Sequence, residues 1–168
     1  FKEEAVIPGM DYERINARLN LDHRINDMFK FGMSVTLTQA INNWGSNGVM
    51  SEGFRTLPMA VPYNDDGSIR FLPANDGIAS NPLAEIVPGA YIDERHSTRL
   101  FAPMYLQVDL AENLRFTSTF GPDLRFTRQG EFRGAATNDN KLGPADAETE
   151  NTRESGFTLE NLVTYSKE

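Results

Sequence analysis

Residues 14–22 read Arg-Ile-Asn-Ala-Arg-Leu-Asn-Leu-Asp, with Ile15, Ala17, Leu19 and Leu21 at alternate positions and Arg14, Asn16, Arg18, Asn20 and Asp22 between them. A helix would scatter these residues around its cylinder, whereas a strand sets them on opposite faces. The design repeats at once: Phe31, Met33, Val35 and Leu37 oppose Lys30, Gly32, Ser34, Thr36 and Thr38. Only a short polar turn around Asn26-Asp27 separates the two runs, which predicts an antiparallel hairpin.

Two further runs follow the same rule. Leu106, Val108 and Leu110 alternate with Tyr105, Gln107 and Asp109; after a turn at Ala111-Glu112-Asn113, Leu114, Phe116, Phe120, Leu124 and Phe126 alternate with Arg115, Thr117, Thr119, Asp123 and Arg125. A fifth run, Phe157 to Tyr165, is rich in strand formers, but adjacent Leu162 and Val163 leave its facing open. The expected strands lie near 11–25, 29–42, 103–111, 114–127 and 156–166.

The connections alternate in length. Short turns fall near 26 and 112, and long loops are expected near 43–100 and 127–155, so all long loops leave the sheet at one end. Long loops of this kind are usually functional or disordered. Short turns at one end and long loops at the other is the layout of an all-β, antiparallel transmembrane barrel, in which one face of each strand meets lipid and the other a watery lumen. A soluble β-sandwich shows the same alternation, with its apolar face in a core. Pattern alone leaves both open.

Composition narrows the functions. The 168 residues carry 16 Lys+Arg against 24 Asp+Glu, a net charge of -8, which argues against nucleic acid as a partner. Cysteine is absent and only His23 and His96 occur, so disulfides, thiolate metal sites and histidine-rich metal centres are excluded. No stretch reaches the roughly 18 apolar residues of a membrane helix. The chain opens Phe1-Lys2-Glu3-Glu4 without a leader-like segment and stops directly after a strand-like run, so it is expected to be a piece of something larger.

The candidate chemistry is sparse. Asn64, Asp65 and Asp66 before Gly67 invite a calcium-loop reading, but EF-hand spacing is missing and Asp-Asp-Gly-Ser reads as an ordinary turn. Asp93, Glu94, Arg95 and His96 are expected to form an exposed loop cluster, since neighbours on an extended segment point to alternate sides. His23, beside Asp22 and Arg24, reads as a turn-facing polar residue. No nucleophile elbow, Walker loop or zincin motif accompanies them, so no catalytic residue, metal or cofactor is expected. Trp44, Tyr63, Phe71 and Tyr91 in the first long loop suit contacts to a sugar or peptide. Arg14, Arg18, Asp109, Arg115 and Asp123 are expected to line the lumen if the barrel reading holds. The acidic stretch from Asp139 to Glu154 is expected to be a solvated loop.

Whole segments resemble one family. Residues 11–42, "DYERINARLNLDHRINDMFKFGMSVTLTQAIN", are similar to a barrel hairpin of SusC/RagA-type TonB-dependent transporters. "NPLAEI" at 81–86, "YLQVDLAENLRFTSTFGPDLR" at 105–125 and "FTLENLVTYSK" at 157–167 resemble later segments of that family in the same order, and residues 1–15 resemble the loop before the hairpin. The resemblance implies about five consecutive strands of a much larger barrel, with the plug domain and TonB-contacting segment absent from this chain. It implies nutrient import, of oligosaccharides or peptides, across a bacterial outer membrane. It also implies a SusD-like surface lipoprotein, TonB acting through the plug, the rest of the barrel, and outer-membrane lipid as partners. The rival expectation is a soluble β-sandwich module binding carbohydrate; a hydrolase is the third.

Overall fold

The computed structural model describes residues 1–75 and 77–167. It is built almost entirely from antiparallel strands: β1 (Lys2–Glu4), β2 (Asp11–Arg24), β3 (Phe29–Asn43), β4 (Tyr91–Phe101), β5 (Met104–Ala111), β6 (Leu114–Arg133) and β7 (Asp146–Tyr165), with two short helices, α1 (Gly48–Arg55) and α2 (Pro82–Glu85), between β3 and β4. The strands form one sheet of order β1-β2-β3-β4-β6-β5, in which β5 also pairs β3 and β7 pairs β6.

Thus β4 and β5 share the same neighbours, β3 and β6. The break between them falls at Ala102-Pro103, where proline has no N–H to give to a ladder. Pairing carries on around it: Ser34 N–H donates to the Pro103 carbonyl at 2.9 Å, and Ala102 N–H to the Pro122 carbonyl at 3.1 Å.

Three expectations need correction. Residues 91–99 are strand β4 and not an exposed loop cluster, so the loop expected over 43–100 ends at Ala90. Both faces of that stretch are largely polar, and hydropathy alternation cannot reveal a strand whose two sides are alike. β6 runs on to Arg133 and β7 starts at Asp146, so the loop expected over 127–155 shrinks to 134–145. The acidic stretch expected to be loop is therefore strand from Asp146 onward, again because nothing apolar marks it.

The facing of β7 is settled by its neighbours. Phe157 packs against Phe120 with ring centroids 5.9 Å apart, and Arg153 lies over Phe126. Arg125 pairs with Glu154 on the opposite side. Alternation then places Leu159, Val163 and Tyr165 on the apolar face and Leu162 on the polar one.

Two compact units divide the chain. One holds Phe1–Glu13, Ile41–His96 and Arg128–Asn151; the other holds Arg14–Ala40, Ser97–Thr127 and the chain from Thr152 onward. In the second unit the apolar face lies bare: Ile15 and Leu19 are 62% and 61% exposed, and Leu37, Leu106, Leu110, Phe120 and Phe126 are exposed too. A sandwich would bury these residues against a second sheet. Among the described residues the buried apolar side chains are Pro73, Ala79 and Ala84, all in the loop region of the first unit.

The first unit has a polar interior. Glu52 is fully buried; one carboxylate oxygen accepts Ser80 N–H at 2.7 Å and the other faces Arg55 at 3.3 Å. Buried Glu85 accepts the Asn138 N–H, tying the 134–145 loop to α2. Asn81 caps α2 through Leu83 N–H (3.0 Å), while its amide donates to the carbonyls of Pro62 (2.8 Å) and Arg70 (2.9 Å). One asparagine thereby starts a helix and fastens a neighbouring turn. Buried side-chain nitrogens and oxygens are all satisfied among the described residues, as burial demands.

Candidate functional site

The polar face of the sheet carries the ordered side-chain chemistry. In the second unit it forms cross-strand pairs. Arg18 donates to Thr36 at 3.2 Å, and Ser34 to Asn20 at 2.7 Å. Arg115 donates to Asp109 at 2.6 Å, and the Arg99 guanidinium makes two bonds to the Asp123 carboxylate. Tyr105 reaches across β3 to Asp22 at 2.8 Å. These groups remain solvent-exposed, so each ion pair contributes only about 0.2–1 kcal/mol. Their larger effect is to fix the register and orientation of the side chains on this face.

The expected residues Arg18, Asp109, Arg115 and Asp123 therefore share one face, two of them as a direct pair. Arg14 takes an even-numbered position of β2, in phase with Arg18 and Asp22. Asp123 pairs with Arg99, which lies within the loop expected over 43–100 and is in fact on β4.

In the first unit the polar positions hold two hydrogen-bonded groups. Arg95 lies over the Trp44 ring, 5.8 Å from its centroid, and both Nε and Nη2 donate to Gln129 Oε1. Gln129 in turn donates to Asp93 at 2.8 Å, and Trp44 N–H to the Asp93 carbonyl at 2.9 Å. The second group joins the Tyr91 hydroxyl to Glu131 (2.8 Å), and Arg133 to Glu131 and Asp146. Asp93 and Arg95 thus turn to one side of β4, while Glu94 and His96 meet each other on the other. That division is the one alternation predicts, and it prevents the four from converging as acid–base machinery.

Trp44 is half exposed and also lines a groove of about 220 Å³ with Tyr12, Met10, Asn42 and Glu3. With its amide oriented to suit, Asn42 accepts from the indole Nε1 at 3.0 Å. Tyr63 and Phe71 lie elsewhere, on the hairpin fastened by Asn81: Tyr63 bridges to Ile69, and the Phe71 carbonyl accepts Asn81 N–H. At the tip of that hairpin, Ser68 N–H and Oγ both donate to Asp66 (2.9 and 2.6 Å), and Asn64 donates to Ser68 Oγ. Of the three residues that invited an ion, Asp66 accepts both bonds within a turn, and these hold its carboxyl below its ordinary pKa.

His23 is an exposed residue near the end of β2. Missed from the sequence were Arg99, Gln129, Glu131, Arg133 and the Tyr105–Asp22 bond. No hydropathy signal marks the four residues, because both faces of 91–99 and of 127–133 are largely polar.

One antiparallel sheet, bare and apolar on one face, hydrogen-bonded and polar on the other, defines a stretch of transmembrane β-barrel wall. The particular likeness is to part of a TonB-dependent receptor and to part of the RagAB importer. The chain is 29% identical over 183 aligned residues to TonB-dependent receptor P3 of Formosa agariphila, covering 99% of this chain and 17% of that receptor. Its fold matches part of the RagAB peptide importer in the closed-closed state, with a TM-score of 0.69 and 18% identity over 93% of this chain and 18% of the other. The open-open state of the same importer gives 0.68 and 17% identity at the same coverage. No family profile matches. The chain spans less than a fifth of the length of these relatives, a receptor and a peptide importer by name.

Proposed function

We propose that this chain is part of the wall and outer mouth of a TonB-dependent nutrient importer in a bacterial outer membrane. The observation that carries the reading is the bare apolar face, Ile15 and Leu19 above all, set against an ordered polar face on the same strands. In this reading Ile15, Leu19, Val35, Leu106 and Val108 face hydrocarbon, and Arg14, Arg18, Asp109, Arg115 and Asp123 line the passage. The chain corresponds to 17–18% of its relatives, so the whole transporter's cycle belongs to parts beyond it.

The cargo is an oligosaccharide or a peptide. Trp44, with Arg95, Asp93 and Gln129 beside it, combines an aromatic plane with planar hydrogen-bonding groups, which suits either a sugar ring or a peptide backbone. Peptide import by the RagAB structures favours the second, and Tyr63, Phe71 and Tyr91 are further contacts in the same reading. A SusD-like lipoprotein over the loops and TonB acting through a plug complete the assembly. The protein makes and breaks no bonds in its cargo; it positions and gates.

Single-cysteine labelling of the full-length transporter in membranes tests the facing. Lipid-soluble reagents should modify position 19, 35 or 108 in preference to 18, 36 or 109, and water-soluble reagents the reverse. Equal labelling of the two sets would end the barrel-wall reading.

A further inference from the structure

The groove of about 220 Å³ lined by Trp44, Tyr12, Met10 and Glu3 lies wholly within the first unit. Glu3 is the register partner of Tyr12 across β1 and β2, so its carboxylate and the phenol ring share one face. The Phe1 ring packs against Tyr12 with centroids 6.1 Å apart. Met10 closes on Gly45, where φ is +58° and a Cβ would come within 2.7 Å of Met10 Cγ, so glycine alone lets the turn approach so closely.

The polar groups around the groove are unevenly used. Asn43 donates to the Asp11 carboxylate at 2.9 Å, and Asn42 is held between the Asp11 carbonyl and the Trp44 indole. Lys2 pairs with Glu4 at 3.6 Å. Glu3 is exposed, and its carboxylate has no hydrogen-bonding or ionic partner among the described residues. The segments that build the groove, 1–13 and 41–47, carry Lys2 against Glu3, Glu4, Asp11 and Glu13.

We infer that this groove seats one basic side chain of a peptide cargo, its aliphatic stem along Met10 and the two rings and its cationic head at Glu3. The inference deepens the proposed peptide import and rests on it. A volume of about 220 Å³ is smaller than the roughly 300 Å³ or more that encloses a whole small ligand, so the groove takes a side chain and not a cargo. Lysine and arginine have the matching build, apolar along the stem and charged at the tip, and aromatic rings attract cations. Arg95, which lies over Trp44 from β4, is held by Gln129 and leaves Glu3 to the cargo. A sugar ring fits less well. With Asn42 and Asn43 engaged, most of its hydroxyls would give up water without a replacement partner. An acidic side chain would be repelled by Glu3 and Asp11.

The test titrates the full-length transporter in detergent with fluorescent alanine pentapeptides carrying lysine, norleucine or glutamate at the centre, followed by anisotropy. The lysine peptide should bind about fivefold more tightly than the norleucine one, the order of an exposed ion pair with a ring contact, and the glutamate peptide should bind most weakly. Glu3→Gln should shrink the lysine preference to about twofold, leaving the ring contact, and Glu3→Lys should turn the preference toward glutamate. Equal binding of the lysine and norleucine peptides by the parent overturns the inference, and so does a lysine preference intact in both variants. A glucosamine oligomer bound more tightly than the lysine peptide, with that advantage lost in Glu3→Gln, would assign the groove to amino sugars and overturn it too. If none of the peptides binds, the peptide reading itself has failed and takes the inference with it. The cysteine labelling is indifferent to all of these results.

Discussion

Gly32 on β3 and Tyr105 on β5 are a register pair, and the phenol ring fills the volume that a side chain at 32 would need. A Cβ at Gly32 would run into the ring and approach Asp22 Oδ1 to 2.6 Å. The ring crosses β3 so that its hydroxyl reaches Asp22 on β2 at 2.8 Å. Glycine inside a strand ordinarily weakens it. Here an aromatic neighbour covers the gap and ties three strands with one side chain.

The pair predicts an order of severity. Tyr105→Phe keeps the ring over Gly32 and loses one exposed hydrogen bond, about 1 kcal/mol. Gly32→Ala must expel the ring and loses both the cover and the bond, so it should cost more, and Gly32→Val more again. Denaturant unfolding of the full-length protein in micelles reads the order. A Gly32→Ala protein as stable as the parent would show that the ring has an equally good second seat.

How far the sequence discloses this architecture depends on contrast between faces. β2, β3 and β5 lie within one or two residues of their expected bounds because leucine and arginine alternate there. β4, the end of β6 and the start of β7 carry polar residues on both sides, so the same period produces no hydropathy signal. The polar face was legible as a list of residues, but its pairings were not. Asp123 meets Arg99, 24 positions away, only because β4 and β6 are neighbours in the sheet. Helix α1 inverts the usual rule: it buries Glu52 and leaves Met50 and Phe54 exposed, so amphipathicity would assign its faces backwards.

That buried Glu52 is the second test. Glu52→Ala leaves the Ser80 N–H without an acceptor inside the loop unit, a loss of about 1–3 kcal/mol. Glu52→Gln retains an acceptor oxygen and should cost less. Limited proteolysis of residues 44–90 should quicken in the order parent, Gln, Ala, while strand content is unchanged. Equal cleavage of all three proteins would mean that Glu52 does not hold the loop.

Asp66 supplies a pH dependence with a definite sign. Its carboxyl is held below the ordinary value by the two bonds from Ser68, so the turn is favoured by the ionised form. The contribution is present above the ordinary carboxylate pKa and fades as pH falls through the depressed one. Ser68→Ala should return the titration toward the ordinary range, as read by carbon NMR of labelled aspartate. An unmoved Asp66 titration in that variant would assign the depression to something other than Ser68.

The Arg99–Asp123 pair tests whether the polar face works through geometry or through charge alone. The guanidinium makes two bonds to one carboxylate, a fork that lysine cannot reproduce, and Arg99 also lies over the Phe101 ring. If net charge along the passage were all that mattered, Arg99→Lys would import cargo like the parent, and the exchange of both residues would be equally silent. The paired geometry predicts otherwise. Arg99→Lys should change stability by less than about 1 kcal/mol, because the pair is exposed, yet free Asp123 to reorient and alter uptake. The exchange Arg99→Asp with Asp123→Arg should recover more uptake than either single change, since a bidentate pair can re-form across β4 and β6. Uptake equal in both single variants and the exchange would show that this pair takes no part in transport.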